Sequence, residues 1–284
     1  MKPIIRLGHI GLSFHAAGAA VVQRILESHG YMVQSTAAAH EEMFRRYGAG
    51  EVDMLASAWL SASHGAYLAP YQAQTRKLGV LYRPYCIWGV PDYVPEELVA
   101  SVDDLATPAV AARMSKLLQG INPGAGISRF SRQMMSAYGL EGLGYRFENG
   151  SEDACFRRYE DAVRQGLWLV VPLWHPQFLH HRQRIRALAE PLGLLGGRDE
   201  ATLIVREECA ARMAPAALAQ LSELSLGNRA ISELDHMICR QGLSPLSAAD
   251  AWLAQQKNAT GVGGGVAWNG VQDQAALADS ARPQ

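Results

Sequence analysis

Two patterns take turns along the first part of the chain: short, nearly continuous apolar runs, and longer stretches whose apolar residues recur every three or four positions. The run PIIRLGHIGL (3–12) predicts a buried strand, and the residues from about His15 to His29 predict a helix that Gly30 is placed to end. YMVQSTAA (31–38) predicts a second strand, HEEMFRRYGAG (40–50) a helix stopped by glycine, and EVDMLASAWL (51–60) a third strand. Strands and helices alternating in this way point to an α/β fold with a parallel sheet. A further strand is predicted over LYRPYCIWGVP (81–91), and the proline- and acid-rich stretch 92–108 after it reads as a connection between lobes.

The pattern then restarts. A short strand over LLQGINP (117–123) leads through a glycine turn to a helix from about Ile127 to Tyr138, and GYRFENG (144–150) reads as another strand. SEDACFRRYEDAVRQG (151–166) predicts a helix capped by Ser151, and LWLVVPLW (167–174) a strongly apolar strand. After the loop-rich stretch 190–200, TLIVREE (202–208) supplies one more strand, with two or three helices up to about Lys257. The glycine-rich and then polar segment 258–284 is expected to be a loosely ordered tail.

With 284 residues, 49% of them hydrophobic and 19% charged, the chain is globular and long enough for two lobes of ordinary size. The 26 Lys and Arg nearly balance the 27 Asp and Glu, so no overall field draws nucleic acid or an anionic membrane, and partners must be sought at a local site. The run from Leu7 to Val22 superficially resembles a secretory segment after Lys2 and Arg6. However, His9, Ser13 and His15 interrupt it and it flows into an amphipathic helix. No window is long and apolar enough for a membrane span. Cys86, Cys155, Cys209 and Cys239 are far apart without a C-x-x-C pair, which suits reduced thiols in a cytoplasmic protein.

Three segments end predicted strands where α/β sheets present ligands: SAWLSASHGAYLAPY (57–71), GINPGAGISRF (120–130) and VVPLWHPQF (170–178). In the second, Pro123-Gly124-Ala125-Gly126 leaves peptide N–H groups bare at a helix start, a seat for a carboxylate, although glycines also serve simply to turn a strand into a helix. Trp59 and Trp174 both stand at strand ends. Facing one gap, two indoles hold a methylated ammonium at about 0.5–2 kcal/mol each, whereas a single indole reads first as core or lobe-interface packing, and only the joint occurrence of the two with the glycine turn favours a cage. His175, His180 and His181 lack a carboxylate or cysteine at metal-ligand spacing, Glu41 and Glu42 are neighbours on a helix face, and Arg182, Arg184 and Arg186 read as a solvated face. No metal, cofactor or nucleophile constellation is expected.

Taken together these segments resemble the glycine-betaine-binding proteins, the substrate-binding subunits of osmoprotectant ABC importers. The family's D-x-x-L-x-x-W-L-P-x-x-H-G-x-Y is matched by DMLASAWLSASHGAY (Asp53 to Tyr67) and its P-G-A-G-I by Pro123 to Ile127. Its W-x-P-H-W is matched by WHPQF and its LEEKGYxV by LESHGYMV (Leu26 to Val33), in order from about residue 5 to residue 225. The resemblance implies a type II periplasmic-binding-protein-like fold, two α/β lobes joined by two crossovers near Pro91 to Leu105 and Asp199 to Val205. Lobe 1 would then be 1–100 with 203–257, and lobe 2 would be 101–202. It also implies binding without catalysis: a quaternary ammonium or betaine-like zwitterion, glycine betaine by default, held in the cleft and passed to an ABC permease. Trp59 and Trp174 match cage tryptophans, and the N–H groups of Gly126 and Ile127, after Ala125, match the carboxylate turn. His64 matches a histidine that fixes its loop.

The departures bear on the ligand. Where relatives carry an N-terminal cage tryptophan this chain reads GHIGLSFH, with Phe14 and His15 beside the place, and Gln177 and Phe178 replace the family's H-W. Trp88, Tyr67, Phe14 and His9 are candidates to complete the cage. The family's working place is periplasmic or extracellular, against the cytoplasmic reading above, so a cytosolic sensor or carrier on the same fold is the alternative. An amine-acting enzyme is a more distant one, with His9, His15 or Cys86 as its chemical groups.

Overall fold

The computed structural model describes residues 2–260. The N-terminal alternation becomes β1 (Ile4–Ile10), α1 (Ser13–Ser28), β2 (Met32–Ala38), α2 (His40–Gly48) and β3 (Met54–Leu60). A one-turn helix α3 (Gly65–Leu68) leads to β4 (Thr75–Tyr82). The second lobe contains β5 (Tyr85–Pro91), α4 (Pro108–Arg113), β6 (Leu117–Gln119), α5 (Gly126–Ala137) and β7 (Arg146–Glu148). It continues with α6 (Glu152–Gln165), β8 (Val171–His175), α7 (Leu179–Arg182) and β9 (Ile185–Ala187). The chain returns to the first lobe as β10 (Glu200–Arg206), followed by α8 (Glu207–Ala210), α9 (Pro215–Glu223), α10 (Gly227–Cys239) and α11 (Pro245–Thr260). The tail expected from residue 258 lies outside the described residues beyond the end of α11.

The first sheet has the order β2-β1-β3-β10-β4. β1 runs parallel to β2 and β3, and β10 is antiparallel to both of its neighbours. β3 is central and buried along its whole length, which is why its sequence is a continuous apolar run rather than an alternation. The second lobe carries an antiparallel sheet β8-β5-β9 and a parallel pair β6-β7. Ser151 caps α6, its hydroxyl accepting the Ala154 N–H at 3.1 Å.

The crossovers differ from expectation. The single strand predicted over 81–91 is two strands in different sheets, parted at Arg83 and Pro84, because proline has no N–H to continue the ladder. The chain therefore changes lobe here and not between Pro91 and Leu105. The stretch 92–108 is fastened within the second lobe, Arg186 donating to the carbonyls of Val94 and Val99 at 2.9 and 2.6 Å. Arg186 is thus an anchor and not part of a solvated face. The return strand already belongs to the first sheet at Glu200, so the second crossover sits just before it, where the Asp199 N–H donates to the Pro84 carbonyl at 2.8 Å. The two crossings lie side by side, and the lobe boundaries fall near 84 and 199 in place of 100 and 202.

Asp53, buried just ahead of β3, ties that strand to β1: it accepts the Arg6 backbone N–H at 2.8 Å and Nε at 2.9 Å and pairs with the guanidinium. Arg6 is partly solvated, which lowers the worth of the pair. Asp53→Ala should cost about 2 kcal/mol in urea unfolding, mostly through the stranded Arg6 N–H. A loss below about 0.5 kcal/mol would mark the pair as a surface contact.

Candidate functional site

Each lobe contributes one wall of a cleft. On the first, β3 ends at Trp59 and Leu60 and the chain folds back through Ser63 and His64. The Trp59 N–H donates to His64 Nδ1 at 2.9 Å, and its indole Nε1–H donates to the Tyr82 hydroxyl at 3.0 Å, so ring and loop are both fixed. Asp199, at the crossover, accepts the N–H groups of Ala62 and Ser63 at 2.7 and 3.0 Å. Within β3, Ser57 adopts φ +61° beside a register shift against β10, a bulge that sets the direction of the strand end carrying Trp59. The first turn of α1 adds Phe14 and His15.

On the second wall Trp174, next to the last residue of β8, lies opposite Cys86 of β5. The glycine turn follows β6 and opens α5 with Ala125 as its N-cap. The Gly126 and Ile127 N–H groups find no acceptor among the described residues. As the first donors of a twelve-residue helix they carry its positive dipole end. A Cβ on Gly126 would lie 2.7 Å from Ser63 Oγ of the opposite wall, so glycine here lets the two walls meet.

The walls meet around a small cavity, about 20 Å³, lined by Leu12, Phe14, His15, His40, Trp59, Ser63 and His64 from the first lobe and Cys86, Ile121, Ala125, Gly126, Ile127 and Trp174 from the second. Phe14 is central: its ring lies 5.4 Å from Trp59, 5.5 Å from Trp174 and 4.4 Å from His15. No lining side chain is Asp, Glu, Lys or Arg. The three histidines are neutral at pH 7: burial pushes His15 and His64 well below the usual imidazole range, with the neighbouring histidines adding to it, and takes His40 down to about 4 with Arg129 adding. Burial also pushes the Cys86 thiol up, away from the thiolate a nucleophile needs.

The structure brings together Trp59, Trp174, Phe14, His15, His64, Ala125, Gly126 and Ile127. Trp88 is not with them. Fully buried, it donates its indole N–H to Ser131 of α5 at 2.8 Å; it shares a face of β5 with Cys86 but stands two residues further along the strand, where α5 covers it. Tyr67 sits at the rim, its hydroxyl donating to the Gly124 carbonyl at 3.0 Å, and His9 lies outside the lining. Gln177 accepts the Leu179 N–H, and Phe178 packs edge-on against Phe156, so neither reaches the cavity. Among the described residues no His, Cys, Asp and Glu cluster could hold a metal ion. His40, Ser63 and Ile121 were not legible in the sequence as lining residues; each joins only when two elements meet.

The lobes are latched together. Arg129 of the second donates to the Ser63 carbonyl at 2.7 Å, and the Phe178 N–H donates to buried Asp235 of the first at 2.8 Å. Ser13 of α1 reaches Glu152 of α6 at 3.3–3.4 Å. Burial, with Asp235 nearby, pushes the half-buried Glu152 carboxyl up to about 8.

The sequence profile described as the substrate binding domain of ABC-type glycine betaine transport systems matches residues 3–255. The chain belongs to that family. It is a bilobal substrate-binding protein, built to bind a quaternary ammonium ligand of the betaine class and not to transform it. Its fold is shared with lactococcal OpuAC, solved closed and complexed with glycine betaine (TM-score 0.79, 23% identity, covering 90% of this chain and 97% of that one). It is also shared with the glycine/betaine/L-proline-binding protein ProX from Borrelia burgdorferi (TM-score 0.79, 21% identity, 90% and 94% covered) and an ABC-transporter choline binding protein in complex with choline (TM-score 0.77, 20% identity, 90% of each). No curated protein sequence matches the chain.

Two outcomes follow for this binding domain. Gly126→Ala should leave the unfolding curve close to wild type yet weaken ligand binding at least about tenfold, because the added methyl meets Ser63 only when the lobes close; unchanged affinity would show that the walls do not need this approach. Because the Glu152 pKa is raised in the closed form, closure favours the protonated carboxyl and is disfavoured as pH rises through about 8. Affinity measured from pH 6 to 9 should therefore fall with pH in the wild type and stay flat in Glu152→Gln.

Proposed function

We propose that the cleft takes a carboxylated betaine, with its methylated ammonium among Trp59, Trp174 and Phe14 and its carboxylate on the N–H groups of Gly126 and Ile127. The carrying observation is that a cavity without a charged side chain places aromatic rings at one part of its wall and two unused peptide donors at another. A zwitterion of zero net charge suits such a cavity. A net cation such as choline would leave its charge to the rings alone and the two N–H groups without an acceptor. Phe14 serves as the third ring in place of the tryptophan that relatives carry nearby, and His64 holds the Trp59 loop.

The mechanism is binding followed by closure. Each ring contributes about 0.5–2 kcal/mol once water is expelled, and the helix N-terminus about 0.3–2 kcal/mol toward the carboxylate. The lobes turn about the paired crossings at Pro84 and Asp199, a hinge that Ala62, Ser63 and Asp199 connect directly to the cage. The closed form is the one an ABC permease receives, and the protein works on the outer side of the membrane that the permease spans.

Titration with glycine betaine, proline betaine and choline, followed by calorimetry, should give micromolar to millimolar affinity, about −8 to −4 kcal/mol, for at least one betaine and weaker binding of choline. Trp59→Ala, Trp174→Ala and Phe14→Ala should each lose about 1–3 kcal/mol of betaine binding while the circular dichroism stays unchanged. Preference for choline would overturn the assignment of the anionic end, and silence toward every methylated amine would overturn the ligand class.

A further inference from the structure

The seam between the lobes carries a second pocket, about 370 Å³, lined by His175, His180 and His181 of the second lobe and by Arg229, Ser232 and Glu233 of α10 in the first. None of these residues lines the cage cavity. Two contacts between the lobes bracket the pocket along α10: Asn228 Nδ2 lies 3.0 Å from His175 Nδ1, and the His236 and His181 ring centres are 4.4 Å apart. From 228 to 236 the helix rises about 12 Å. Arg229, Ser232 and Glu233 stand between these contacts at i, i+3 and i+4, which places them on one face of the helix.

The polar groups in this wall are unused. Ser232 is 7% exposed, and its hydroxyl has no hydrogen-bond partner among the described residues. Buried polar atoms are nearly always paired, so such a hydroxyl in a pocket wall marks a group that a ligand satisfies. Arg229 and Glu233, one turn apart, form neither an ion pair nor a hydrogen bond among the described residues, with each other or with a third group. Burial takes His175 and His180 down to about 4, so both rings are neutral at pH 7. His175 Nδ1 accepts from the Asn228 amide, which leaves the ring proton on Nε2 as a donor. His180 Nε2 donates to the Trp174 carbonyl at 3.0 Å, which leaves a lone pair on Nδ1.

The pocket therefore offers donors on Arg229, Ser232 and His175 and acceptors on Glu233 and His180. A simple anion would meet Glu233, and a simple cation would meet Arg229. A zwitterion whose ammonium carries N–H groups answers both. This is the reverse of the cage, which has no charged side chain and suits an ammonium with no N–H to donate.

We propose that this pocket is a second binding site, for a small α-amino acid with a free ammonium group, its carboxylate on Arg229 and Ser232 and its ammonium on Glu233 and the His180 lone pair. The site is complete only while α7 and α10 stand together, so its ligand binds the closed form. By linkage it raises affinity in the cage by the same factor by which a caged ligand raises its own. The proposal does not depend on which methylated ligand the cage takes.

Calorimetric titration of the full chain with L-alanine, L-serine and L-glutamine, with and without saturating glycine betaine, tests it. At least one amino acid should bind while betaine is present, and more tightly than in its absence. Arg229→Gln and Glu233→Gln should each weaken that binding by about tenfold or more, and Ser232→Ala by about three- to tenfold, with betaine affinity in amino-acid-free buffer unchanged. Acetate and methylammonium, each carrying one charge of the zwitterion, should bind at least about tenfold more weakly than the amino acid. Failure of all three amino acids to bind in either condition overturns the proposal, as does equal binding by wild type and both charge variants. Binding that betaine displaces, or that disappears in Trp59→Ala, also overturns it by placing the amino acid in the cage. If the protein ignores glycine betaine, the betaine reading fails on its own, and the comparison of wild type with the charge variants in betaine-free buffer still decides this site.

Discussion

A charged ligand brought into a dry cavity must have both its charges answered, and here no ionised side chain is present to do so. Aromatic faces and peptide dipoles are the remaining instruments. Each is weak in water and gains strength where water is excluded, so the site depends on closure more than on any single contact. The arrangement of the chain follows from that need. Phe14, Trp59 and the histidines come from the first lobe, on α1, β3, the start of α2 and the loop after β3, while Trp174 and the glycine turn come from the other lobe.

The hinge and the cage are connected by a short chain of contacts. Asp199 stands at one crossing and holds the N–H groups of Ala62 and Ser63, and the same loop brings His64 back to the Trp59 N–H. Movement at the crossing is thereby coupled to the orientation of the indole. Gly126 permits contact with Ser63 on the other side, and Arg129 then seals the Ser63 carbonyl from the second lobe. One loop thus meets the hinge, the cage and the opposing wall.

Much of this was legible in the sequence because the periodicities are strong: β1, α1, β2, α2 and β3 lie where the apolar patterns place them. The misplaced crossover has a specific cause. An apolar run reads the same whether one strand or two compose it, and Pro84 was the only sign that the ladder stopped between Tyr82 and Tyr85. Trp88 illustrates a different limit. Two residues from Cys86 on one strand, it looked as available to the cleft as Trp174, and only the pairing with β8 and the position of α5 decide which way its ring is packed. His40 carried no local signal, since its place in the wall arises from the approach of α2 to the glycine turn.

The central claim is that the Gly126 and Ile127 peptides bind a carboxylate while the rings bind its ammonium. Amide proton and nitrogen chemical shifts of those two residues, followed during titration with glycine betaine and then with choline, test it most directly. The account predicts large downfield shifts of both amide protons on saturation with the betaine, and much smaller ones with choline. Saturable betaine binding that leaves the two amides unmoved would contradict it.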